Sequence, residues 1–177
     1  MTVNITLIGY RCSGKTAVGK HLSKELGMDF IDMDRAIEED TECSIDTIIS
    51  RNGWDYFRGL EKSLIEKLSI RDRTVIATGG GVVLDRENMK KLKKKSVVIW
   101  LRGSADVLRA RMSKDLQSGR IRPSLTGENP LEEIDKILDI RTPLYHEAAT
   151  FVVDTDDLSI PEVATSIKNA PLVGLGG

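Results

Sequence analysis

Cysteine is nearly absent: the 177 residues carry two, Cys12 and Cys43. Two cysteines this far apart make neither a disulfide framework nor a zinc-ligand spacing. No apolar run is long enough to span a bilayer. The first β-branched run begins almost at the N-terminus, which leaves no room for a signal peptide and sets the expectation of a cytoplasmic protein. Charge of either sign is also missing in excess. The formal net charge is −1, which gives no electrostatic footprint for nucleic acid. Internal repeats and low-complexity linkers are lacking, and so is the Asn-Lys-x-Asp signature of guanine readers. Apolar residues at 40% and charged residues at 30% are ordinary for a soluble globular chain.

The stretch Gly9-Tyr-Arg-Cys-Ser-Gly-Lys-Thr16 spells G-x-x-x-x-G-K-[ST], the phosphate-binding loop. A β-branched run, Val3 to Ile8, precedes it. A helical pattern follows, with Val18, Leu22 and Leu26 on one stripe. Strand, loop and helix are the context this motif requires. Its glycines let successive N–H groups converge, and the helix starting near Gly14 adds a positive dipole end. Residues Cys12, Ser13, Gly14, Lys15, Thr16 and Ala17 are therefore the expected cradle for ATP. Lys15 is expected to reach the β- and γ-phosphates and Thr16 to bind Mg²⁺. Cys12, in this loop, is read as a tolerated small residue.

Strand and helix patterns alternate along the rest, which predicts an α/β/α sandwich on a parallel sheet. The second strand, Met28 to Ile31, ends at Asp32-Met-Asp34. Acids one residue apart on a strand point the same way, toward the end where open sheets bind ligands. The competing reading is a helix N-cap with an incidental second acid. The third strand, Thr74 to Ala77, ends in Gly79-Gly80-Gly81, with no Walker B aspartate. Magnesium then needs another carboxylate, and Asp32 is the candidate. The three glycines imply close approach of a ligand or another backbone, or simply a flexible loop. Residues 35–68 read as three short helices broken at Asn52-Gly53, a small substrate-binding insertion. Arg58 within it is either functional or an edge arginine with a buried stem. Asp85 to Lys95 and Ser104 to Leu116 read as helices, and Ser96 to Leu101 and Phe151 to Asp154 as strands. Residues 112–127 take in a polar, basic, glycine-flanked stretch with the make-up of a lid or a plain basic loop. A further helix is expected from Asn129-Pro130 to about Ile140, and a last one opens on the capping box Ser159-Ile-Pro-Glu162. The domain is expected over 1–170, with 171–177 a flexible tail.

Taken together, the phosphate loop, Asp32-x-Asp34, Phe57-Arg58 with Glu61, Gly79-Gly80-Gly81, Arg122-Pro123 and Arg141-x-Pro143-Leu144-Tyr145 resemble the shikimate kinases, of the nucleoside-monophosphate-kinase-like P-loop enzymes. The resemblance runs from the first strand to about residue 168. It implies a five-stranded parallel sheet and transfer of the ATP γ-phosphoryl group to the 3-hydroxyl of shikimate, in aromatic amino acid biosynthesis. It implies that Asp34 binds substrate hydroxyls and helps remove the proton. Arg58 and Arg141 would hold the carboxylate, and Gly79, Gly80 and Gly81 would admit the ring. Arg122 would close over the transferring phosphoryl, and Arg111 would pack on adenine. Lys15, Asp34 and Arg122 are then the catalytic set, in a monomer that binds shikimate and ATP and takes Mg²⁺ through Thr16 and Asp32. The lid departs from the family's usual Arg-Pro-Leu-Leu by Ser124, which is expected to remove an apolar contact and loosen closure. Two other readings stay open: a gluconate or nucleotide kinase, and a non-catalytic descendant.

Overall fold

The computed structural model describes residues 3–117 and 124–170. The expected tail, 171–177, and the middle of the expected lid, with Arg122, lie outside the described residues.

Five strands, β1 (Asn4–Ile8), β2 (Asp29–Asp32), β3 (Thr74–Ala77), β4 (Ser96–Arg102) and β5 (Phe151–Asp154), form one sheet in the order β2-β3-β1-β4-β5. Every pairing is parallel, with Leu7 opposite Ala77 on one side and Ile99 on the other. Side chains alternate between the two faces. Ile5, Leu7, Ile99 and Leu101 meet Val18 and Leu22 of α1 (Lys15–Leu26) and Val163 and Ile167 of α7 (Ile160–Lys168). Ile76, Val98 and Trp100 face the other way. They pack on Ile65 and Leu68 of α3 (Ile45–Leu68), Leu92 of α4 (Arg86–Lys93) and Tyr145 of α6 (Ile134–Ala148). Truncating a residue such as Leu22, wholly buried, to Ala costs about 2–5 kcal/mol. The helix α5 (Ala105–Gln117) packs through Leu108 and Met112 on Tyr10 and on Ile134 and Ile137 of α6. No helix among the described residues is long and apolar enough to cross a membrane.

Local chemistry sets the helix ends. Gly14 (φ 97°) starts α1, and Gly27 (φ 60°) ends it in the left-handed region that glycine favours. Asp85 accepts from the Glu87 and Asn88 N–H groups at the start of α4. Glu162 accepts from the Ser159 N–H and hydroxyl at the start of α7.

Two expectations about elements are corrected, and one is met. The helix α2 (Met33–Thr41) begins at Met33, because Asp32 is its N-cap: Oδ1 accepts from the Asp34 and Arg35 N–H groups at 3.1 and 3.3 Å. Asp34 therefore stands on a helical first turn, and the strand-alternation argument for the two acids fails. The expected break at Asn52-Gly53 is present, so this stretch holds three helical pieces, α2 and the two halves of α3 (Ile45–Leu68). The chain kinks within α3 at Gly53 (φ 81°, ψ 172°). The largest difference is α6. It starts at Ile134, not near Pro130, and runs straight through Pro143. Its buried stripe, Ile134, Ile137, Arg141, Tyr145 and Ala148, continues past the proline without a break. Pro143 and Asp139 both face solvent, so water can satisfy the Asp139 carbonyl that the proline leaves without an N–H.

Candidate active site

A cavity of about 860 Å³ opens at the carboxyl ends of β1, β2 and β3, the ligand-binding edge of an open α/β sheet. One end is the phosphate loop. Gly9 (φ 146°) lets the chain turn under Leu101, whose carbonyl oxygen would lie 2.5 Å from any Cβ at that position. Cys12 adopts a φ of 61° in the same turn. The Lys15 ammonium donates to the Gly9 and Tyr10 carbonyls at 2.9 and 2.8 Å. The Thr16 hydroxyl donates to Asp32 Oδ2 at 2.5 Å. The two expected magnesium ligands are thus adjacent, though they come from α1 and from the end of β2. Cys12, Gly14, Lys15, Thr16 and Ala17 line the cavity. Ser13 is buried beneath it, with Oγ 3.4 Å from the Lys15 ammonium.

The other end is built around the three glycines after β3. Arg58, from α3, lies against Gly81, where a Cβ would sit 2.1 Å from its Nη2. A Cβ on Gly79 would meet Glu61 Oε1 at 2.8 Å and Asp34 Oδ1 at 3.0 Å. Gly79 and Gly81 make room for side chains of the site itself, and Gly80 for the backbone of Gly9 and Arg11, the close approach the sequence suggests. Arg58 donates to Glu61 Oε2 at 2.6 Å, and its guanidinium carbon is 5.4 Å from the ring centroids of both Trp54 and Phe57. From α6, Arg141 donates to the Gly80 carbonyl at 3.0 Å, and the Tyr145 hydroxyl donates to the same oxygen at 2.5 Å. Two arginines from separate helices thereby flank one glycine turn. Both stand within helices, not at helix edges. Each is held by a hydrogen bond, which lowers the entropy cost of aiming a long side chain.

Burial and charge shape the electrostatics of this end of the cavity. Burial pushes the Glu61 carboxyl up; Arg58 opposes this, and the nearby Asp34 adds to it. Burial also pushes the Tyr145 phenol up to about 12, against the pull of Arg141. Tyr145 is therefore a neutral donor at any working pH. Burial likewise raises the Tyr10 phenol, opposed by Arg11.

Toward α5, Arg111 lines the cavity with its guanidinium tied to Thr155, through Nη1 to Oγ1 at 3.0 Å and Nη2 to the carbonyl at 2.6 Å. Ser124 is tied down by hydrogen bonds in place of the missing apolar contact. Its hydroxyl donates to Glu133 at 2.9 Å and accepts from the Gly127 N–H at 2.7 Å.

Asp34, Arg58, Gly79, Gly80, Gly81 and Arg141, with Asp32, all line the same cavity as the phosphate loop. Sequence reasoning missed Tyr145 as a hydrogen-bond donor, Thr155 as the anchor of Arg111, and Glu133. It gave Glu61 no role, although its spacing of one helical turn from Arg58 was a usable signal. Glu133 had none: it reads as one more acid in Leu131-Glu-Glu-Ile134.

A parallel sheet in this order, with a phosphate loop facing an acid-and-arginine end of one cavity, defines a small P-loop kinase. Residues 11–170 match the model of the shikimate kinase family. The chain is 46% identical over 164 residues to the shikimate kinase of Thermodesulfovibrio yellowstonii, covering 93% of this chain and 92% of that protein. The solved shikimate kinase from Acinetobacter baumannii, in complex with shikimate, superposes with a TM-score of 0.86 at 33% identity, over 94% of this chain and 91% of that one. A gluconokinase from Sinorhizobium meliloti, at 18% identity and a TM-score of 0.55 over 98% and 91%, shares the fold alone. The chain belongs to the shikimate kinase family, whose members are ATP-dependent kinases.

Proposed function

We infer that this chain transfers the γ-phosphoryl group of ATP to the 3-hydroxyl of shikimate, giving shikimate 3-phosphate and ADP. Within the site, one observation supports this acceptor above others. Arg58 and Arg141 converge on the Gly79–Gly81 turn, beside Asp34 and in one cavity with the phosphate loop. Guanidinium forks match a carboxylate's two oxygens, and an acid beside them suits a polyhydroxylated ring.

Residues 12–17 cradle the phosphates through backbone N–H groups at the start of α1. Lys15 supplies a point charge that grows in worth as the bridging oxygen takes up charge. Arg58 and Arg141 fix the acceptor by its carboxylate. Asp34 hydrogen-bonds its hydroxyls and accepts the proton from the attacking oxygen. Arg122, two residues before the anchored Ser124, stabilises the transferring group, and Arg111 packs on adenine. The Thr16 hydroxyl and Asp32 fit Mg²⁺, which usually keeps most of its waters and takes one or two protein ligands. When bound, that ion neutralises charge between the β- and γ-phosphates. Residues 35–68 form the acceptor-binding insertion and 112–127 the lid. In this reading the working unit is a monomer, and family membership supports a cytoplasmic setting.

A coupled assay of ADP release across shikimate, gluconate and nucleoside monophosphates tests the acceptor. Shikimate should give the highest kcat/KM by orders of magnitude. A higher value for gluconate or a nucleotide would overturn the assignment.

A further inference from the structure

Glu133 immediately precedes α6, and its side chain has no exposed surface. A carboxylate so buried is sustained only by donors around it. Ser124 Oγ, the Leu125 and Thr126 N–H groups and Thr126 Oγ1 all donate to Glu133 Oε2, at 2.9, 2.9, 3.0 and 3.0 Å. The Leu125 N–H also reaches Oε1 at 3.1 Å. From the other side, the Arg11 guanidinium approaches Oε1 to 3.5 Å and is itself nearly buried.

The residues so gripped belong to the site. Arg11 is part of the phosphate loop, and Arg11 and Leu125 both line the main cavity. The Arg11 backbone nitrogen would lie 3.5 Å from a Cβ on Gly80, so this part of the loop abuts the glycine turn. That is where the nucleotide end of the cavity meets the acceptor end. One carboxylate at the head of α6 therefore holds two walls of the cavity together. It grips the first through a cation and the second through backbone N–H groups.

We propose that Glu133 is a positioning residue for phosphoryl transfer, acting through Arg11 and Leu125 to set where the nucleotide and acceptor ends of the cavity meet. The proposal rests on the kinase reading of the cavity, and wild-type turnover with shikimate tests that reading separately. Glu133 does not contact Arg58, Asp34 or the glycines, so its loss should disturb alignment more than acceptor binding. Misalignment by a fraction of an ångström lowers the rate of the chemical step without weakening either ligand much.

The test is Glu133→Gln, nearly isosteric, which turns one acceptor oxygen into an amide that faces donors. For wild type, Glu133→Gln, Arg11→Met and the double variant, kcat, the KM for each substrate, calorimetric shikimate affinity and the melting midpoint are measured. In Glu133→Gln, kcat per folded molecule should fall about tenfold or more, with shikimate affinity within about twofold. Because Glu133 acts through Arg11 as well as Leu125, the double variant should lose clearly less than the product of the two single losses. Ser124→Ala removes one donor, should lower kcat in the same direction by less, and replaces Glu133→Gln in the cycle should that variant not fold. An unchanged kcat in folded Glu133→Gln, a loss that tracks only the unfolded fraction, or losses that multiply in the double variant would each overturn the proposal.

Discussion

Gly81 and Arg58 are packed so closely that any Cβ on Gly81 would fall 2.1 Å from the guanidinium Nη2 and 2.7 Å from its central carbon. The φ of Gly81 is −99°, open to every residue, so space and not backbone strain is what requires glycine there. Gly81→Ala should push Arg58 off Glu61 and out of line with Arg141. The variant should fold, because the displaced group is the end of a flexible side chain. Shikimate binding should weaken by about 1.5–3 kcal/mol, the worth of a hydrogen bond to a charged group, while ADP binding stays level. Calorimetric titration of both ligands checks this, and equal losses for both would refute it.

Thr16 and Asp32 predict a separation between stability and metal use. Asp32 both caps α2 and accepts from the Thr16 hydroxyl. Asn caps a helix about as well as Asp. Asp32→Asn should therefore change unfolding stability by no more than about 0.5 kcal/mol, yet raise the Mg²⁺ concentration for half-maximal rate by about 10–100-fold. Magnesium titrations of initial rate, set beside urea melts, decide it. An unshifted titration would remove Asp32 from the metal site.

Glu61 gives a pH prediction with a defined sign. Its carboxyl is held above the ordinary glutamate range by burial, opposed by Arg58 and Arg141 and reinforced by Asp34. The fold thus binds this proton more tightly than the unfolded chain does. The resulting stability is full below the ordinary glutamate value and is lost as pH rises through the folded value. Glu61→Gln lacks this loss, so its stability relative to wild type should climb across that window. Shikimate affinity should move oppositely in wild type, falling on acidification as the anion that holds Arg58 takes a proton. Unfolding and binding series over pH measure both. Parallel stability curves for wild type and Glu61→Gln would contradict the shift.

Much of this arrangement was legible in the sequence because its signals are local. The phosphate loop, the capping box of Ser159 and Glu162 and the alternation of strands and helices depend on neighbours within a few residues. That the sheet is parallel and five-stranded follows from the alternating pattern and the family resemblance together; the strand order comes from the structure. What failed was non-local. Pro143 reads as a helix stop until Tyr145 and Ala148 are seen buried beyond it. The Asp32-Asp34 pair is a local exception: the sequence allows a strand pair or a helix N-cap, and the bonds to the Asp34 and Arg35 N–H groups decide for a cap at Asp32. The role of Glu133 requires knowing that residues 124–126 fold back onto the head of α6 and that Arg11 lies opposite. No periodicity in the sequence encodes that meeting. Ser124 shows the same limit: judged by the missing leucine it is a loss, and judged by its contacts it is an anchor.

The central claim is that the phosphoryl group passes from ATP to an alcohol of shikimate within this cavity. A single turnover with γ-labelled ATP, shikimate and Mg²⁺, resolved by chromatography against authentic shikimate 3-phosphate, tests it most directly. The account predicts that the label leaves ATP only when shikimate is present, appears in the 3-phosphate ester, and stays in ATP when Lys15→Ala replaces wild type. Label released as inorganic phosphate, or transferred at an equal rate by Lys15→Ala, would contradict it.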